Sequence, residues 1–117
     1  METTDTKGRI FSRVECLVDL EIVTQGLAAP EIHRVEALDL SLSGLGVTFD
    51  PKINRLLASS SVSVRMYGFP PVSAVVCWVG TDRAGLRFTD PLCEIMNSWV
   101  GEVLCAQGVK VGNLVPS

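Results

Sequence analysis

The sequence contains no run of about 18 apolar residues, the length a helix needs to cross a bilayer. Its first eight residues, Met1 to Gly8, are polar and lack the apolar centre of a secretory signal. A cytoplasmic protein is expected. There is a single histidine, His33, and a metal site or general base built on histidine needs partners that this chain does not place around it. His33 falls in an expected strand beside Arg34, so a structural role is expected, and no catalytic or metal-binding residue is assigned. The four cysteines, Cys16, Cys77, Cys93 and Cys105, form no C-x-x-C pair, which removes the zinc-ribbon and thioredoxin patterns. Each sits among apolar neighbours, and reduced, buried thiols are expected. Positive charge is also scarce overall. Ten Lys and Arg stand against 13 Asp and Glu, for a net charge of −3 and a pI near 5.0, which excludes the broad basic stripe of a general nucleic-acid binder. A local patch for a small anion is still allowed, because net charge does not report on one.

What is present is one domain. The chain has 117 residues, 47% hydrophobic and 20% charged, enough to bury a core without disulfides or a structural metal. In 16–22, Cys16, Val18, Leu20 and Ile22 alternate with Asp19 and Glu21, the pattern of a half-buried strand. A turn-rich stretch covers 24–30, and 33–40 reads as a second strand with Val35 and Ala37 on one face. Leu45, Val47 and Phe49 alternate after a tight turn at Ser43 and Gly44, giving a hairpin. A short helical turn fits 53–57. Val62, Val64 and Met66 alternate, 68–71 breaks the chain, 72–79 is a β-branched run, and 84–89 completes a sixth strand. Strands in succession without helices between them predict a mainly β fold, a six-stranded antiparallel sheet curled into a barrel.

The last element changes period. Leu92, Ile95, Met96, Trp99, Val100, Val103 and Leu104 form the stripe of an amphipathic helix. Asp90 as cap, Pro91 at the first position and Gly108 at the end predict one helix over about 91–107. Its stripe either packs on the barrel or serves as a dimerisation face.

Two short groups stand out. The first is Arg9-Ile10-Phe11-Ser12-Arg13, with Lys7 upstream, a concentration of positive charge in an acidic chain. Guanidinium forks bind phosphate, or the O6 and N7 edge of guanine, through paired hydrogen bonds. Four steps of extended chain span at most ~13–14 Å, so both arginines can touch one nucleotide-sized ligand. A solvated charge run is the alternative. The second group is Asp39-Leu40-Ser41-Leu42-Ser43-Gly44. At an extended strand end Asp39 and Ser41 share a face, with Leu38 and Leu40 toward the core, and Gly44 permits a turn and close approach. Asp39 can accept from guanine N1 and N2 or orient an arginine, and Ser41 can donate to a phosphate oxygen. Asp, Ser and Gly are also ordinary turn residues.

In order, Arg9-x-x-x-Arg13 followed by Asp39-x-Ser41-x-x-Gly44 resembles the PilZ family of cyclic di-GMP receptors. The resemblance continues through Ala74-Val75-Val76-Cys77-Trp78-Val79, a turn, and Gly85-Leu86-Arg87-Phe88, covering about 9–104. It implies a polar leader over 1–8 and a PilZ-like domain over 9–108. Within that domain the arginine arm is 9–13, the barrel about 14–89 and the helix about 91–107 packed against it; 109–117 is a C-terminal tail. It further implies that Arg9, Arg13, Asp39, Ser41 and Gly44 bind cyclic di-GMP without catalysis, cofactor or metal. One position departs from the family, since Gly8 stands where many members carry another arginine.

The expected function is therefore that of a cytoplasmic cyclic di-GMP receptor, monomeric or bridged into a homodimer by its ligand. Ordering of the arm over the ligand would pass the signal to a separate effector protein, with no DNA or RNA bound directly. Two rival readings are a PilZ-like protein-interaction adaptor with little or no ligand binding, and an enzyme acting on cyclic dinucleotides. The second is disfavoured because no base or metal ligands cluster in the sequence.

Overall fold

The alternation of apolar and polar residues produces six strands, and the sheet they form closes on itself. The computed structural model describes residues 14–25 and 28–108. The strands are β1 (Val14–Gln25), β2 (Pro30–Leu40), β3 (Gly44–Thr48), β4 (Ser61–Arg65), β5 (Val72–Val79) and β6 (Arg83–Phe88). All neighbours are antiparallel, in the order β1-β2-β3-β6-β5-β4, closed as a barrel. Closure lets inward residues of every strand share one core. Leu20, Ile22, Val35, Val47, Val64, Val76 and Leu86 lie inside. β1 and β2 run past the spans read from sequence, to Gln25 and from Pro30, into the two ends of the stretch expected to be turn-rich, because Gln25 still pairs with Pro30.

The C-terminal stripe packs on the barrel as helix, but as two pieces: α1 (Leu92–Met96) and α2 (Trp99–Ala106). The break has a local cause. Ser98 is extended and its hydroxyl accepts from the Val100 amide at 3.1 Å, capping a new helix. The fold-back brings the Met96 carbonyl into the space that a Cβ on residue 101 would need, so Gly101 is required there. Asp90, expected to cap the helix, instead accepts the Ser73 amide at 2.9 Å and ties β5 to the end of β6. Trp99 is wholly buried; its indole N–H donates to the Val64 carbonyl at 3.1 Å, and its ring meets Phe88 edge-on at 6.4 Å.

Other expectations change as well. The helical turn lies at 50–54, not 53–57, because the Asp50 carbonyl accepts from both Ile53 and Asn54 and its carboxylate accepts from Lys52. His33 is buried, with Nε2 beside the Thr24 hydroxyl at 3.1 Å. Of the four thiols only Cys16 is buried. Cys93 and Cys105 fall on the outer sides of α1 and α2, and Cys77 is turned outward by an irregularity in β5 described below.

Candidate functional site

Two β-bulges aim the side chains of the candidate site. On the core face of β2, His33, Val35 and Ala37 are buried in strict alternation, so the next inward position would be residue 39. A register shift against β3 between Ala37 and Asp39 inserts Leu38 as an extra residue. It turns Asp39 outward and returns Leu40 to the core. The same device operates in β5. Val72, Ala74 and Val76 point inward, and Trp78 would follow, but a shift against β6 between Val76 and Trp78 inserts Cys77. Cys77 and Trp78 then both face out, and Trp78 is 53% exposed. A third irregularity, in β1 between Glu15 and Val18, lies beside the β2 bulge.

The outcome is one row of residues across four strands. Asp39 pairs with Gly46, Gly46 with Gly85, and Gly85 with Trp78. The two central positions carry no side chain, and the outer two lean over them. The Asp39 carboxylate accepts the Gly46 amide at 3.0 Å and sits above that glycine. The Nε1 edge of the Trp78 indole occupies the space a Cβ on Gly85 would fill. Neighbouring strands lie about 4.8 Å apart, so an acceptor and an exposed aromatic ring are displayed together over a flat two-glycine floor. A surface cavity of about 290 Å³ follows this row, and Ser43, Gly44 and Arg87 complete its wall. Arg87, the register partner of Gly44, is exposed and is the one cation lining the cavity among the described residues.

Asp39 and Gly44 thus meet at one cavity as the sequence suggests. Ser41 does not stand beside Asp39 as expected. The strand ends at Leu40, and Ser41 turns beneath the connection and is 2% exposed. Its hydroxyl accepts the Ser43 and Gly44 amides at 3.2 and 3.3 Å and bonds the Ser43 hydroxyl at 2.9 Å. With the Ser41 amide donating to the Gly44 carbonyl at 2.9 Å, these contacts close the turn. Ser41 is the turn's internal brace, and the outward hydroxyl at the cavity is Ser43. Gly44 is sterically required, because a Cβ there would strike the Leu86 carbonyl of β6. Arg9 and Arg13 lie outside the described residues; Val14, which follows Arg13, pairs with Leu40 next to Asp39.

Reading the sequence missed Trp78, Arg87 and Ser43 as wall residues. The signal available for two of them was a tryptophan and an arginine flanking a glycine on consecutive strands. Asp39 also acts on the barrel interior: burial foremost, with its negative charge second, pushes the Cys16 thiol above its ordinary range. Cys16 therefore stays protonated near neutral pH.

A larger depression of about 670 Å³ crosses the outer face of β1 and β2. It is unsuited to an anion. Asp19, Glu21, Glu36 and Asp50 line it, and Glu21 engages Arg65 at 2.7 Å and faces Arg34 at 4.0 Å. No helix among the described residues is long and apolar enough to cross a membrane, and among them no group of three or more His, Cys, Asp or Glu is placed to hold a metal ion.

No curated protein matches the chain by sequence. Solved structures do match in fold. The PilZ domain of CeSA from a cellulose-synthesizing bacterium aligns with TM-score 0.61 and 17% identity, over 79% of this chain and 97% of that one. The PilZ domain of YcgR from Escherichia coli, solved with c-di-GMP, aligns with TM-score 0.65 and 16% identity over 86% and 91%. Against a longer YcgR chain in complex with c-di-GMP the TM-score is 0.58 at 18% identity; the match covers 86% of this chain and 46% of that one. The PilZ domain family model matches residues 8–97, so this chain, with its six-stranded barrel and C-terminal helices, belongs to the PilZ domain family.

Proposed function

We infer that the protein is a non-catalytic receptor for cyclic di-GMP and that the ligand sits over the row Asp39, Gly46, Gly85 and Trp78. The observation that carries this reading is that two bulges in a PilZ-family barrel aim a carboxylate and an exposed indole over adjacent glycines. A guanine base needs an aromatic or guanidinium plane to stack on and an acceptor for its N1 and N2 hydrogens; Trp78 offers the first and Asp39 the second. The ligand's phosphates need cations. Arg87 supplies one at the cavity, and Arg9 and Arg13, directly before β1, supply two more by closing from the N-terminal side. Gly44 lets the turn approach β6, and Ser41 keeps the turn in shape while Ser43 presents its hydroxyl. Arg87 also offsets the cation missing at Gly8.

Ordering of the arm over the ligand is the output in this reading, read by a separate cytoplasmic effector. Solved relatives described as complexes with c-di-GMP support the choice of ligand.

Titration calorimetry of the purified chain with cyclic di-GMP tests it. Binding is expected, and Asp39→Ala should weaken it by ~1.5–3 kcal/mol, roughly 10- to 150-fold, since a charge-assisted contact is lost. A folded wild-type protein that gives neither heat nor a thermal shift at high ligand concentration would refute the receptor reading and favour the adaptor. Cyclic di-GMP degraded during long incubation would refute the absence of catalysis.

A further inference from the structure

β2 is paired with β1 from Pro30 to Leu40, but β3 covers its other side only from Glu36 to Leu40. Among the described residues, 30–34 therefore present a stretch of sheet edge. The direction of its peptide groups is set by one contact: the Asn54 side-chain amide donates to the Arg34 carbonyl at 3.1 Å, from the loop that follows β3. In an antiparallel strand the N–H and C=O of one residue point the same way, and successive residues alternate. The N–H of Arg34, both groups of Ile32 and the carbonyl of Pro30 consequently face away from β1, while His33 and Val35 face it.

The gaps in this edge are as informative as its groups. Pro30 has no N–H to give, and the Arg34 carbonyl is already engaged by Asn54. A second copy of the strand, laid antiparallel about a twofold axis through Ile32, matches both gaps. Each Ile32 exchanges two hydrogen bonds with the Ile32 of the other copy. Each Arg34 N–H meets a Pro30 carbonyl, and the missing donor at Pro30 lies opposite the occupied acceptor at Arg34. An arbitrary strand would leave one of these groups unmatched. Side chains fit the same arrangement. Ile32 is 52% exposed and would pack on its counterpart, and Ile53, next to Asn54, is 77% exposed beside the edge. Ala28 and Ala29, which come next outward, are small and exposed.

We propose that this edge of β2, residues 30–34, is a self-association surface through which two copies of the chain pair as continuous antiparallel sheet. The interface is isologous and closes on itself, so it yields a dimer and not a fibre. It is independent of any ligand and of the Asp39–Trp78 row. With so short an edge the buried area falls below the ~1,200 Å² of stable complexes, so the dimer is expected to be weak, with Kd on the order of tens of micromolar or above.

Sedimentation velocity of the full chain, from low micromolar to sub-millimolar concentration, should show a reversible monomer–dimer equilibrium. Ile32→Asp, which sets two carboxylates face to face, should abolish it while circular dichroism stays that of a folded barrel. The second variant is Ile32→Cys in a background with Cys77, Cys93 and Cys105 replaced by serine. Paired residues of this kind have Cα atoms ~5.5 Å apart, inside the disulfide range, so mild oxidation should give a covalent dimer that the serine background alone does not. A chain that is monomeric throughout with no such cross-link overturns the proposal, and so does a dimer that survives in a folded Ile32→Asp protein.

Discussion

Two glycines of the barrel wall predict opposite outcomes for the same substitution. At Gly85 an added methyl meets the edge of the Trp78 indole, and at Gly44 it meets the Leu86 carbonyl with Arg87 Cα and Leu86 C at 3.1 and 3.2 Å. The first obstacle can move, because Trp78 is already 53% exposed and rotation about its side-chain bonds carries the ring toward solvent. The second is backbone held in the β3–β6 ladder. Gly85→Ala should therefore leave the fold nearly as stable as before, within ~5 °C in Tm, while displacing the ring proposed as the guanine-stacking surface. Base–aromatic stacking contributes about 1–3 kcal/mol, so cyclic di-GMP affinity should fall roughly 5- to 150-fold. Gly44→Ala forces strands apart at a cost of about 1–3 kcal/mol, or roughly 5–20 °C in a domain of this size. Differential scanning calorimetry and titration calorimetry on both variants separate the two effects. A double variant, Gly85→Ala with Trp78→Ala, should lose no more affinity than Trp78→Ala alone, since both act through the same ring. Wild-type affinity in Gly85→Ala, or a double variant whose losses add, would refute the placement of the ligand over this row.

Two further predictions concern the interior. Trp99→Ala empties the end of the barrel and removes the indole donor to the Val64 carbonyl; a loss of about 3–5 kcal/mol is expected in urea unfolding. Ellman titration of the native protein should modify Cys77, Cys93 and Cys105 readily and Cys16 only on unfolding. Because the Cys16 thiol is raised in the folded state, the fold favours its protonated form. That contribution is fully present below the ordinary thiol range and is lost as pH climbs through the raised value. Stability should therefore fall above about pH 9, and less so in Cys16→Val; equal alkaline slopes for the two proteins would refute the assignment.

The barrel was legible because alternation is a short-range signal: Leu20 and Ile22, or Val62 and Val64, announce an inner face without reference to any other strand. The bulges were not, because an extra residue is defined only against a partner strand. Val35 and Ala37 on one face, with Leu40 also inward, are incompatible in an unbroken strand, and that conflict was the one local trace of the bulge at Leu38. Trp78 shows the same limit, since simple alternation puts it in the core. Arg87 reached the cavity through its pairing with Gly44, 43 positions away in sequence. The break in the C-terminal helix was concealed by a hydrophobic stripe that runs through Asn97 and Ser98 in phase, although a serine immediately before an apolar helical cluster, as Ser98 stands before Trp99 and Val100, is a capping signal.

The burial of Trp99 bears on where this domain ends. The family match stops at residue 97, whereas Trp99, Val100 and Leu104 beyond it are completely enclosed. A chain cut after Asn97 would retain every strand and every wall residue of the candidate site, yet it would expose Phe88, Val64 and their neighbours at an open barrel end. For expression, for fusion to another domain, or for grafting this barrel elsewhere, the folding unit extends at least through Ala106, nine residues past the boundary of family similarity.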